Sequence, residues 1–457
     1  MIGCMPKRRK PTRVAVVSLG CPKALVDSER MLAMLAEAGC LVGAPLDAAD
    51  VILINTCGFL ASARDEGRAA IEQATEVAAA TGAKVVVAGC WVQHALQEVQ
   101  AAGAIDAAVP LRDRDRIVAV CRDVLAGREQ ETRQVAPFTG LPNDTGRLLL
   151  TPAHVAYLRI TEGCDNRCAY CTIPAIRGPL RSKPIDVLTD EAHGLLDGGA
   201  RELILIGQDT TAWGIDLFGS PSLERLLDAL VALIGRGRWL RVLYGHPLHW
   251  TDAVTDRFAS RGPLLGYVDL PVQHIDAAIL RRMNRKVTPR RIEARIDTLR
   301  QRVPGVALRT TVIVGLPGET EEAFGRLLEF VERVRFDHLG AFVYSPEPGT
   351  AAAAMDGQVP DDAKAERLDV LMSTQQEIAF ARARRRVDEA ETAELLIDAR
   401  TGEREYRGRF AHQAPDVDGA TYLPGDDLAV GRFVAATVVG VDDYDLVAKP
   451  VGSRIPA

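Results

Sequence analysis

Between residues 155 and 344 the chain repeats one pattern six times, an apolar run of strand length followed by helical sequence, at 155–161, 202–207, 240–246, 266–272, 307–315 and 338–344. Alternating strand and helix predicts a parallel sheet. Six such units in unbroken succession predict a partial (β/α)6 barrel, an incomplete relative of the eightfold barrel, with its chemistry at the C-terminal ends of the strands.

A shorter version of the pattern precedes it. Apolar runs at 14–19, 51–56 and 84–89 are separated by helical stretches, amphipathic at 28–37 and Ala-rich at 61–80, so a parallel-sheet α/β domain is expected at 12–136. The stretch 137–152, rich in Pro, Gly, Asn and Thr, reads as a linker. The barrel then spans 150–386 and closes with a polar helix, 361–386, that ends on Arg382, Arg384, Arg385 and Arg386. Short β-like runs at 394–399, 406–410, 427–430 and 433–441 predict a small antiparallel β-barrel over 388–457. Three domains suit a length of 457 residues, too long for one core.

Hydrophobic residues make up 47% of the chain and charged residues 25%, with no stretch of eighteen uninterrupted apolar residues. That balance is globular and predicts a soluble protein with no membrane partner. The start is basic at Lys7, Arg8, Arg9 and Lys10 but lacks the apolar core of a secretory signal, so a cytoplasmic location is expected. Nine cysteines, an odd number, then argue for metal binding or catalysis over a disulfide framework.

Cys164, Cys168 and Cys171 lie in EGCDNRCAYCTIP, directly after the first barrel strand. Thiolates are the usual ligands of iron–sulfur clusters, and three of them leave one iron of a four-iron cubane without a protein ligand. A structural zinc site takes four protein ligands, and no further Cys or His lies at ribbon spacing. Gly207-Gln208-Asp209 follows the second barrel strand, and a motif opening on Gly315 follows the fifth. Each is either a tight turn or a place where a ligand approaches the backbone closely.

Cys21, Cys57 and Cys90 each follow a strand of the first domain. Strand C-termini share one edge of a parallel sheet, where α/β proteins bind ligands. The three cysteines are therefore expected to converge and to hold a second cluster with an open iron. Three small buried hydrophobes would be the ordinary fate of free cysteine, but that does not explain why each one follows a strand. Cys4 in the tail, Cys40 after a helix and Cys121 within one have no such placement. His274, in PVQHID, either lines the mouth of the barrel or is structural.

Taken in order, SLGCPKALVDSE, NTCGF, the Cys164 triad, GPLRSKP, GQDTTAWGID, DLPVQHID, RTTVIVGLPGETEE and VYSPEPGT resemble the methylthiotransferase family of radical S-adenosylmethionine enzymes, over nearly the whole chain. The resemblance implies two 4Fe-4S clusters, with metal ligands Cys21, Cys57, Cys90, Cys164, Cys168 and Cys171. It implies S-adenosyl-L-methionine on the open iron of the cluster at Cys164, Cys168 and Cys171, cleaved to a 5′-deoxyadenosyl radical that abstracts hydrogen from an unactivated carbon. Tyr170, Gly207, Gln208, Asp209 and Gly315 stand where the family contacts that cofactor, although Tyr170 would also be unremarkable as core packing. The open iron of the N-terminal cluster would hold the sulfur or methylthio group, the last module would be a TRAM domain, and an electron donor of flavodoxin or ferredoxin type is implied. One departure is Ala24, where the family often has Asn.

One branch of this family modifies an adenosine in transfer RNA, and another an aspartate β-carbon of the small-subunit ribosomal protein twelve. GQDTTAWGID and DLPVQHID are similar to the second branch; the first tends to have a GQN segment and Ser in place of His274. Charge points the same way, because residues 388–457 carry 14 acidic against 7 basic side chains. Nucleic acid needs a basic face, so this module would repel it and attract a basic ribosomal protein. An electron carrier or sensor without turnover is a third reading, and the open iron speaks against it.

Overall fold

The computed structural model describes residues 10–128, 130, 140–260 and 262–451. Cys4, the basic residues Lys7, Arg8 and Arg9, and positions 137–139 of the expected linker lie outside them. Internal contacts define two units, residues 1–150 with 172–179, and residues 151–171 with 180–457.

In the first unit β1 (Arg13–Ser18), β2 (Leu41–Val42), β3 (Val51–Thr56), β4 (Lys84–Gly89) and β5 (Ala107–Pro110) form a parallel sheet in the order β2-β1-β3-β4-β5. All six residues of β3 are buried, as expected of a strand covered on both faces. The period of two divides its side chains between the faces. Val51 and Leu53 meet Met31, Leu35, Ile117 and Val120 on one side. Ile52 and Ile54 meet Ile71 and Ala74 of the helix Ala61–Thr81 on the other. The amphipathic helix is longer than 28–37 and runs Pro22–Glu37, starting directly after Cys21. Proline is well suited to the first helical position, where Pro22 stands and where its missing N–H is not needed.

In the second unit β6 (Val155–Arg159) is followed by β7 (Thr161–Glu162), which pairs antiparallel with the distant β8 (Arg181–Ser182). Then come β9 (Glu202–Ile206), β10 (Trp239–Val242), β11 (Leu264–Asp269), β12 (Ala307–Val314) and β13 (His338–Val343). The sheet order is β13-β12-β11-β10-β9-β6, parallel at every junction, with β6 and β13 as its two edges. The six expected strands are thus present as an open partial barrel.

After the helix Asp361–Asp388, β14 (Thr392–Arg400), β15 (Glu405–Phe410), β16 (Thr421–Pro424), β17 (Phe433–Asp442) and β18 (Asp445–Pro450) close into a barrel. Its junctions are antiparallel except β16 with β18. The expected strand at 427–430 is absent. Asp427 has φ 57°, which breaks an extended run, and Val430 is exposed, so the third strand is Thr421–Pro424 instead.

The small barrel is fastened to the N-terminal rim of the large sheet. Arg409 lies 2.7 Å from the carboxylate of Glu202, the first residue of β9, which Arg241 also contacts at 2.7 Å. Trp239, the first residue of β10, packs on Phe433 with ring centroids 4.9 Å apart. Among the described residues no helix is long and apolar enough to cross a membrane.

Candidate cofactor site

Cys164, Cys168 and Cys171 sit on a loop beyond β7 that turns through Arg167, at φ 51°. A non-glycine residue in this left-handed region stores roughly 1–3 kcal/mol and persists only where its surroundings fix it. Here Asn284 Nδ2 donates to Arg167 O at 2.7 Å, Ala169 N to Met283 O at 2.9 Å, and Cys171 N to Cys168 O at 3.0 Å. Tyr244, Gln273 and Asn284, beyond the ends of β10 and β11, also have positive φ.

Cys164 and Cys168 line a cavity of about 200 Å³ together with Asp209, His246, His249 and Lys286. Asp209 is almost fully buried, and both oxygens are engaged: one by Thr211 Oγ1 at 2.7 Å and Ala212 N at 3.1 Å, the other by His249 Nδ1 at 2.7 Å and Asn166 Nδ2 at 2.8 Å. Burial alone would raise its pKa. The His249 hydrogen bond, the histidine charges and Thr211 outweigh burial and hold the carboxyl below the usual range. His246 is driven well below the ordinary histidine value, first by burial and then by the Arg285 charge. Asp209, His246 and His249 offer one ligand atom each within 4.8 Å of one another. Within this grouping His249 is hydrogen-bonded to Asp209, and His246 Nδ1 accepts from Leu248 N at 3.1 Å.

The residues expected to contact S-adenosylmethionine fall into different roles. Gln208 has both side-chain amide atoms buried and without a hydrogen-bond partner. Unsatisfied groups of this kind cost about 1–3 kcal/mol each, so the site fits a polar ligand that would pair with them. Gly207 packs tightly, since a Cβ there would stand 2.2 Å from Thr161 Oγ1. Gly315 forms a turn at φ 76°, its N–H donating to Glu319 Oε2 at 2.6 Å. The Tyr170 ring packs against the apolar cluster of Ile279, Met283 and Leu316, and burial followed by the nearby Cys168 thiol raises its hydroxyl pKa. His274 is fully buried, with Nδ1 accepting from Asp276 N at 2.9 Å.

Sequence reasoning missed His246, His249, Asn166 and Arg285, whose Nη1 lies 3.9 Å from Cys168 Sγ. The signal for the histidines was present in GHPLHW, which directly follows a strand as the cysteines do.

In the first unit Cys21 directly precedes the helix Pro22–Glu37, Cys57 follows β3 and Cys90 follows β4. The three loops touch. A Cβ on Gly20 would stand 2.8 Å from Cys57 Cβ, and one on Gly58 would stand 3.0 Å from the Cys90 carbonyl carbon. Gly89, at φ 107°, places Cys90 where any side chain at 89 would meet Asn55 and the Thr56 backbone. Burial pushes the Cys90 thiol up to about 12, with Cys57 and Cys21 adding to the effect. At Cys21 burial is outweighed by the charges of Lys23 and Arg177 and by backbone N–H groups, so its thiol is lowered. Three thiols gathered in this way fit a cationic iron cluster, whose charge favours thiolate. Cys40 and Cys121 belong instead to the apolar core beside the helix Ile117–Leu125.

The chain matches the model of the radical SAM superfamily over residues 158–331, that of an uncharacterized protein family, UPF0004, over 13–109, and that of the TRAM domain over 391–451. It is 40% identical over 448 residues to the ribosomal protein uS12 methylthiotransferase RimO of Trichlorobacter lovleyi, covering 96% of this chain and 98% of that one. The RimO of Geobacter sulfurreducens is 40% identical over 442 residues, again covering 96% and 98%. Among solved structures, the radical S-adenosylmethionine methyltransferase TsrM from Kitasatospora setae, with cobalamin and a [4Fe-4S] cluster bound, superposes with a TM-score of 0.52 at 13% identity over 73% of this chain and 72% of that one. The cobalamin-dependent radical enzyme OxsB gives 0.51 at 11% identity, over 80% and 56%. These two likenesses concern the fold alone.

Proposed function

Because this chain belongs to the RimO family of ribosomal protein uS12 methylthiotransferases, we propose that it transfers a methylthio group to the β-carbon of an aspartate in uS12. The observation that carries the reading is identity at 40% across nearly the full length of both chains, spanning both cysteine triads.

In this reading Cys164, Cys168 and Cys171 hold one 4Fe-4S cluster and Cys21, Cys57 and Cys90 a second, and both receive electrons from a flavodoxin- or ferredoxin-like donor. When bound, the clusters and S-adenosylmethionine supply the electron, the hydrogen-abstracting radical and the sulfur group. The chain's own residues position and shield them. Gln208 offers the amide that seeks a polar partner, Asp209 fixes His249 and Asn166 at the cavity wall, and the Arg167 turn sets the spacing of the cysteines.

Charge supports a protein substrate. On the small barrel Glu403, Glu405, Asp426, Asp427, Asp442 and Asp443 are all exposed, a surface suited to a basic ribosomal protein and poorly suited to phosphates. Mass spectrometry of uS12 and transfer RNA from cells with and without the gene tests the proposal. Loss of the methylthio increment from uS12 is the expected result. Its loss from transfer RNA, with uS12 unchanged, overturns the choice of substrate.

A further inference from the structure

We propose that Arg177 sets the reduction potential of the cluster at Cys21, Cys57 and Cys90, an inference that rests on the second-cluster reading above. Arg177 ends the helix Ile173–Arg177, in the segment Thr172–Pro179 that belongs to the first unit although it follows Cys171 in sequence. The side chain is 1% exposed, and its Nη2 donates to Cys90 Sγ at 3.1 Å and to Asp27 Oδ2 at 3.0 Å.

The guanidinium is held rigidly. Asp27 is itself 1% exposed and its other oxygen pairs with Arg114, while Ile176 packs with Leu111 against Cys90. Two guanidinium groups around one carboxylate give this trio a net positive charge. That charge stands directly against the cluster-facing Cys90 thiol, which Arg177 contacts at 3.1 Å. Reduction adds one electron, and hence one negative charge, to a cluster. Hydrogen bonds to cluster sulfurs and nearby charge are among the factors that set its potential. A donor fixed on Cys90 therefore favours the reduced form.

The test uses the full-length chain with Cys164, Cys168 and Cys171 replaced by Ala, so that bound iron reports on the N-terminal triad alone. Iron per chain and the midpoint potential, from a titration followed by electron paramagnetic resonance, are measured in this parent and with Arg177→Gln or Asp27→Asn added. Arg177→Gln is expected to shift the reduced-to-oxidised ratio at fixed potential about tenfold toward the oxidised form, about 59 mV for one electron. Asp27→Asn is expected to shift it the other way, and this decides the matter if the Gln variant fails to load iron. Midpoints that stay put with iron intact overturn the role of Arg177 and leave the cluster standing. A parent that binds no iron overturns the second cluster and this proposal together.

Discussion

His249 Nδ1 lies 2.7 Å from a carboxylate oxygen of Asp209, and that same oxygen takes the Asn166 amide from the cysteine loop at 2.8 Å. One buried carboxylate thus ties the end of β9 to the loop beyond β10 and to the turn carrying Cys164 and Cys168. Asp209→Asn keeps the shape and removes the charge. Hydrogen bonds to charged groups contribute about 1.5–3 kcal/mol, so S-adenosylmethionine cleavage should slow by roughly 10- to 150-fold with iron content unchanged. Chromatography of 5′-deoxyadenosine would show this, and a wild-type rate would remove the carboxylate from the site.

Glu202 stands between Arg241 and Arg409 with no exposed side-chain surface on it or on Arg241. Truncating it leaves two buried cations with one fewer partner, a change that costs about 3–5 kcal/mol. Glu202→Ala should therefore lower the thermal midpoint sharply, or uncouple the melting of the small barrel from the rest. An unaltered melting curve would mean the network is not intact in solution.

Burial pushes His274 down to about 4, against about 6.5 in an unfolded chain. With the folded value below the unfolded one, the unfolded chain takes up the proton first, so stability falls as pH drops from about 6.5 to 4. The loss is at most about 3.4 kcal/mol at 1.36 kcal/mol per unit. His274→Asn retains an acceptor for Asp276 N and cannot titrate. Its denaturant midpoint should vary less with pH across this window than that of the parent; equal slopes would refute the assignment.

Gly89→Ala places a methyl 2.3 Å from Asn55 Oδ1 and 2.6 Å from Thr56 O, at φ 107°. Backbone strain and overpacking each cost about 1–3 kcal/mol. The variant should melt earlier and retain less iron, and normal values for both would show that the strand end can yield.

The six barrel strands were legible because each is an apolar run followed by helical sequence, and the meeting of the Cys21, Cys57 and Cys90 loops because each of these cysteines directly follows such a run. His246 and His249 obey the same rule after β10, yet a lone histidine is so often structural that position alone did not single them out. Residues 427–430 passed as a strand on composition, and a left-handed φ at Asp427 undid it. Arg177 was beyond reach for a different reason. Its contact with Cys90 spans 87 residues, and no periodicity announces a pairing of that range.

The placement of Thr172–Pro179 in the first unit has a consequence for synthesis. A ribosome adding about 5–20 residues each second normally lets the leading domain fold before the next is made. Here the leading domain stays incomplete while residues 151–171 are translated, an interval of about 1–4 seconds during which Asp27 lacks Arg177. The nascent N-terminal sheet therefore waits for the Arg177 side chain until Cys164, Cys168 and Cys171 have already been polymerised.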